Sequence, residues 1–182
     1  HRVYGYLFDG YWRDIGTIRS FYEANLDLTL PLPKFNFYDE KRPIFTHARY
    51  LPGSKIFCSE VDHSILCEGS IINRSKISHS IIGIRSRIEE SSTIDHTVVM
   101  GADYFESEEE IETNLRRGLP PIGIGRDCLI RGAIIDKNAR IGDRVKLVNA
   151  RGTACQETED YVIRDGIIVV PKHAVIPDGT VI

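Results

Sequence analysis

The sequence predicts a mainly β protein wound as a parallel solenoid of triangular coils. The first observation is a rhythm. Aliphatic residues recur at Val61, Leu66, Ile72, Ile77, Ile82, Ile88, Ile94 and Val99, in steps of five or six. That is neither the period of a helix nor the alternation of a half-buried strand. The second observation is closure. Three steps sum to 16 from Val61 to Ile77 and from Leu66 to Ile82, and to 17 from Ile77 to Ile94. The third is resumption, at Ile124, Ile130, Ile135, Ile141 and Leu147, and again at Ile163, Val169, Val175 and Val181.

One inward aliphatic about every sixth residue, three to a repeat, suits a coil with three flat faces. Small and turn-forming residues (Gly, Asn, Asp, Ser) then occupy the corners. Coils stacked at ~4.8 Å pair each strand with the coil above and below. A single coil cannot bury its apolar side, so several must stack. An antiparallel sandwich of short strands is the competing architecture, but it does not require closure every 16 or 17 residues.

Residues 1–9, HRVYGYLFD, carry the β-formers Val3, Tyr4, Tyr6 and Phe8 and predict a strand. Thr17 is a suitable N-cap. Ile18, Phe21, Tyr22 and Leu26 then fall on one face of a helix of about ten residues. Trp12 to Gly16 occupy the turn between the two. Segment 31–55 holds Pro31, Pro33, Pro43 and Pro52, which favour an extended linker. The solenoid is expected over 56–182, interrupted at 101–121 and 149–162. Within the first interruption, Ser107 and Glu110 have capping-box spacing, Arg116-Arg117 suit the last turn, and Gly118 with Pro120-Pro121 ends the helix. The second, NARGTACQETEDYV, reads as a polar excursion from a corner.

The totals exclude more than they assign. The 182 residues carry a net charge of -3, which gives no general attraction to nucleic acid or acidic membrane. No apolar run approaches the ~20 residues of a membrane span. Cys58, Cys67, Cys128 and Cys155 have no metal-binding spacing and read as free thiols in a reducing compartment. No phosphate-binding glycine loop or nucleophile elbow is present; Ile122-Gly123-Ile124-Gly125 lies inside the coil rhythm.

Three constellations carry chemistry. In GYWRDIGT, Asp14 precedes a helix and suits Mg²⁺, which takes one or two carboxylates with phosphates and water; the other reading pairs it with Arg13 or makes it a cap. Trp12 and Arg13 flank it. The second is a set of cations from separate segments: Arg49, Arg85, Arg87, Lys137, Arg140 and Lys172. Residues one repeat apart stack on a solenoid face, and two ammonium groups at 4 Å repel by about 1 kcal/mol in water. A bound anion relieves that repulsion; a solvated face of scattered cations is the plainer reading. The third is the histidines His47, His63, His79, His96 and His173, any of which suits a general base for acyl transfer. His63, His79 and His96 are spaced by 16 and 17, so they read first as a stacked column at one corner.

The strings GYWRDIGTI, RSFYEANL, FYDEKRPIFTHARYLPGSK, SIIGIRSRI, MGADYFE, PIGIG, AIIDKNARIGD and DGIIVVPKHAVIPDGTVI, in this order, resemble the C-terminal part of ADP-glucose pyrophosphorylase of the plant, algal and cyanobacterial type. The resemblance implies a left-handed parallel β-helix over 56–182. It implies that 1–30 closes an α/β nucleotidyltransferase domain otherwise absent from this chain, which alone should be inactive. The family makes ADP-glucose and pyrophosphate from ATP and glucose 1-phosphate with Mg²⁺, for starch or glycogen. The likeness assigns Asp14 to metal binding and catalysis, with Trp12 and Arg13 near the substrate.

The same resemblance assigns Lys137, Lys172 and Arg49 to an allosteric site for 3-phosphoglycerate and phosphate, and His47 beside Arg49 and Arg140 from the same set of cations join them as candidate anion contacts. It implies partner subunits in a homo- or heterotetramer, in a plastid stroma or a cyanobacterial cytoplasm. Here His47-Ala48 replaces a common Gln-Pro, Pro171 replaces an aliphatic, and Arg13 stands where Glu is frequent. A catalytically silent assembly or sensor subunit, and a hexapeptide-repeat acyltransferase, are the alternatives.

Overall fold

The computed structural model describes residues 1–182, and its parallel pairing stacks the inward aliphatics into three ladders. One face aligns Ile56, Ile72, Ile88, Ile124, Ile141 and Ile176. The next aligns Val61, Ile77, Ile94, Ile130 and Leu147. The third aligns Leu66, Ile82, Val99, Ile135 and Val170. Members inside the stack are buried, most of them completely, and form one continuous core. Ile56 and Val61 stay 48% and 39% exposed because the first coil has a neighbour on one side only.

Each coil turns three corners, and each corner takes a residue in the left-handed region. One column is Cys58, Arg74, Ser91, Asp127 and Arg144; a second is His63, His79, His96 and Asn149; a third includes Arg85, Asn138 and His173. A non-glycine residue pays about 1 kcal/mol or more for that backbone. The conformation recurs because it places the corner N–H on the preceding coil: Arg74 donates to Phe57, Ser91 to Arg74, Asp127 to Glu90 and Arg144 to Arg126 carbonyls.

Buried hydroxyls tie the corners together. The backbone N–H of Ser75 donates to Ser59 Oγ (3.1 Å), that of Ser92 to Ser75 Oγ (3.3 Å) and that of Cys128 to Ser92 Oγ (3.1 Å). A parallel chain runs from Ser80 N–H to Ser64 Oγ and from Thr97 N–H to Ser80 Oγ. Ser75 and Ser92 hydroxyls in turn donate to the Glu89 and Gly125 carbonyls. These side chains meet the backbone's needs where the strands break, so their burial leaves no unpaired group.

The final stretch of the rhythm differs from the sequence reading. Strands Cys155–Glu157, Val162–Arg164 and Ile167–Val170 pair antiparallel, so Ile163 belongs to a hairpin meander rather than a coil face. Asp165 (φ 53°) and Gly166 (φ 80°) form its two-residue turn, as an Asp-Gly step favours. Beyond it the inward residues are Val170, Ile176 and Ile182, one place after Val169, Val175 and Val181. In IIVV and VI the aliphatics are adjacent, so a six-residue step cannot choose the phase.

Two helices form: α1, Ile18–Asp27, before the solenoid, and α2, Glu108–Arg116, within the first interruption. Both are closed by capping boxes, Thr17 with Ser20 and Ser107 with Glu110. No strand forms over 1–9, contrary to the sequence expectation, because nothing in the chain pairs with it. Segment 31–54 has no helix or strand.

Helix α1 lies on the outside of the solenoid. Ile18, Phe21, Tyr22 and Leu26 pack over Val98, Ile134 and Ile167, with Val169 beside them. Val98, Ile134 and Val169 are in register, which explains an outward aliphatic ladder on an otherwise polar surface. Tyr22 donates to the His96 carbonyl at 2.5 Å. Burial, with the Asp95 charge nearby, pushes the Tyr22 phenol up to about 12. Arg19 donates to the Asp165 carbonyl, joining the helix to the hairpin turn.

Candidate functional site

Lys137 and Lys172 each immediately precede a left-handed corner residue, Asn138 and His173. The His173 N–H donates to the Lys137 carbonyl, so the two lysines sit on adjacent coils of one corner. The 35-residue separation is one coil enlarged by the hairpin meander. Between the lysines stands Asp103, from the start of the first insertion. Lys137 Nζ lies 2.9 Å from Asp103 Oδ1, and Lys172 Nζ lies 2.7 Å from Oδ2. Asn138 Nδ2 also donates to Oδ2 (3.0 Å), and the Asp103 N–H donates to Asn138 Oδ1 (2.8 Å).

This arrangement moves both partners' proton equilibria. Hydrogen bonds from Lys172, then Lys137 and Asn138, hold the Asp103 carboxyl far below its ordinary range. The Asp103 carboxylate raises Lys172. A depressed carboxylate stabilises the fold above its unfolded pKa of about 4 and loses that contribution as pH falls through the folded value. A raised lysine contributes below about 10.5 and loses its share as pH rises through the folded value. The bridge therefore makes its full contribution to stability between about pH 4 and 10.5. The stability difference between wild type and Asp103→Asn should be constant over the neutral range and shrink below about pH 4, read from melting temperature against pH. A difference that persists unchanged to pH 2 would deny the bridge.

Arg140 has a different engagement. Its guanidinium donates to Glu106 Oε1 at 2.6 Å and to the Pro120 carbonyl at 2.7 Å. Its side chain is 14% exposed and that of Glu106 is 5%. Glu106 also accepts from Asn114 Nδ2 and the Ile122 N–H, so this pair clamps both ends of the α2 insertion to the coil. Arg85 donates to the Ala102 carbonyl and lies over Phe105; Arg87 pairs with Glu89.

Arg49 and His47 are exposed on the linker, where Arg49 donates to the His47 carbonyl at 3.1 Å. No hydrogen bond or ion pair joins them to the lysines. Arg13 reaches forward to Glu23 (2.7 Å) and Asp27 (2.5 Å) on α1, not to Asp14. Asp14 Oδ1 accepts the Gly16 N–H at 2.9 Å, a turn that feeds the Thr17 cap, and its other oxygen is free. Trp12 is 76% exposed. The histidine column is a stack: His63 and His79 rings lie 5.1 Å apart, His79 and His96 4.7 Å.

Asp103 and Glu106 escaped the sequence reading, although both lie in GADYFE. The available signal was two acids opening an insertion beside a corner of cations. A groove of about 710 Å³ runs between Leu119, Pro120, Arg126 and Asp178 and excludes the lysines. The lysine pair is thus a surface clamp.

The architecture defines a class: a parallel β-helix whose insertion lays a carboxylate between lysines of neighbouring coils. A family model described as the GLGC left-handed parallel beta-helix domain matches residues 49–181. The chain belongs to that family, the C-terminal region of ADP-glucose pyrophosphorylase, a transferase of glycogen and starch synthesis.

Proposed function

We propose that this chain is the regulatory and assembly region of a glucose-1-phosphate adenylyltransferase, and that Lys137 and Lys172 receive the phosphoryl group of 3-phosphoglycerate or inorganic phosphate. The observation that carries this is the convergence of both ammonium groups on one carboxylate. Two lysines within reach of two oxygens of one group present the donors that a phosphoryl group accepts. Arg49 and His47, exposed on the linker, would add to the site where the complete enzyme brings that segment to the corner. Arg140 would support it indirectly, by holding the insertion through Glu106.

The catalytic share of this chain is Asp14. Its free oxygen fits one protein ligand of Mg²⁺, the remainder being carboxylate, nucleotide phosphates and water. Bound there, the ion would neutralise phosphate charge during transfer of the adenylyl group from ATP to glucose 1-phosphate. Arg13, fixed to α1 by Glu23 and Asp27, sets the turn that presents Asp14. Val3, Tyr6, Leu7, Trp12 and Phe45, all at least 76% exposed, offer apolar surface to the nucleotidyltransferase domain and to partner subunits. The setting is a plastid stroma or a cyanobacterial cytoplasm.

The two roles separate experimentally. Asp14→Asn in the complete enzyme should lower kcat by about a hundredfold or more while leaving effector binding unchanged. Full turnover in that variant would favour a silent assembly subunit. Replacing both lysines should do the reverse.

A further inference from the structure

Asp103 is an acid placed where an anion site needs a vacancy. Its two oxygens are divided between the two ammonium groups, at 2.9 and 2.7 Å. The lysine side chains are 30% and 46% exposed and that of Asp103 is 38%, so incoming solutes can reach all three. An anion binding between the lysines must take over the positions of those oxygens.

We infer that Asp103 is a built-in competitor: its carboxylate occupies the lysine clamp, and a phosphate monoester binds by displacing it. This inference rests on the lysine pair being an anion site, as proposed above. Three features support displacement rather than joint binding. A phosphoryl group carries a charge of about -1.5 to -2 and three strong acceptor oxygens. Held beside Asp103 it would meet a like charge within the same clamp, which is unfavourable. The carboxylate also has a second set of contacts, because Asn138 Nδ2 donates to Oδ2 and Asn138 Oδ1 holds the Asp103 N–H. Those contacts keep the backbone in place when the lysines are withdrawn.

The exchange has chemical consequences. Both ammonium groups stay charged and paired in either state, so neither state leaves a bare cation pair. A monoanion offers the lysines no more charge than Asp103 already does, and it lacks the chain's own proximity. A dianion offers more. The clamp therefore selects phosphate and phosphate monoesters over acetate and chloride. Displacement also reaches the insertion: Asp103 lies three residues before Glu106, whose bond to Arg140 anchors α2. The start of the insertion is held at both residues, and anion binding would take the lysine bonds from the first while its Asn138 bonds remain.

The test is calorimetric titration of the protein with inorganic phosphate at fixed ionic strength, in wild type, Asp103→Asn, and Lys137→Ala/Lys172→Ala. Asp103→Asn is nearly isosteric and keeps the Asn138 contacts available. The expected result is phosphate affinity about fivefold higher in Asp103→Asn, the order set by losing two partly exposed ion pairs, with acetate failing to compete in any variant. Unchanged or weaker phosphate binding in Asp103→Asn, with binding lost in the double lysine variant, overturns the competitor role and leaves the lysine site standing. Phosphate binding that survives loss of both lysines overturns both. Binding in none of the three overturns both as well. A melting curve of each variant identifies any change that comes from unfolding.

Discussion

Replacing Lys137 and Lys172 together by Ala in the complete enzyme should remove most of its response to 3-phosphoglycerate and phosphate. The concentrations needed should rise by about tenfold or more, the scale of losing charge-assisted hydrogen bonds to a phosphoryl group. Turnover without effector should survive, because Asp14 and the lysines occupy different segments with no bond between them. The fold should survive too. Both side chains are partly exposed and neither contributes to the aliphatic ladders. The double variant does leave Asp103 without its cations, but an exposed carboxylate is solvated rather than stranded. Assay of rate against effector, with and without the substitutions, reads the outcome. An unaltered response would refute the regulatory assignment.

The second large effect is structural. Gly101→Ala should cost about 3 kcal/mol or more, a fall in Tm of about 10 °C for a chain of this size. Gly101 has φ 86°, and a Cβ there would overlap the Ile84 carbonyl oxygen on the coil below. That oxygen is fixed, because it accepts the Ala102 N–H. Either the corner or the coil must move, and Asp103 is two residues away. Gly132→Ala is the control. Gly132 has φ 66° but open space around its added Cβ, so only the backbone term of about 1 kcal/mol applies. Thermal unfolding of the two variants side by side separates collision from conformational preference. Equal losses would mean that the Ile84 contact is unimportant.

Most of the solenoid was legible because its cause is local and repeated. From Ile72 to Leu147 an inward position is an isolated aliphatic or one whose neighbour is distinguishable by spacing, so the sequence states both period and phase. Val169 and Val170 are adjacent and equally apolar, and there the phase is set by the antiparallel meander. The Asp165-Gly166 step announced that meander, but the six-residue rhythm masks it. Val98 and Ile134 face outward because α1 covers them, a contact between segments far apart in sequence. No local pattern carries that information.

The candidate site was legible in half. Lys137 and Lys172 were identifiable as cations that the coil repeat could bring to one corner, with the family resemblance assigning their role. Their meeting depends on the hairpin, which spends part of the 35 residues between them off the coil path. Arg140 was grouped with them by proximity in sequence, yet its guanidinium is held by a buried acid from the insertion. Asp103 was invisible for the same reason: acids in an insertion have no register with the coils until the insertion folds back.

The most direct measurement is a crystal structure of the protein grown or soaked in phosphate. An anion should lie between Lys137 Nζ and Lys172 Nζ, with the Asp103 carboxylate rotated onto Asn138. Asp103 still bridging both lysines at saturating phosphate, with no anion at that corner, would contradict it.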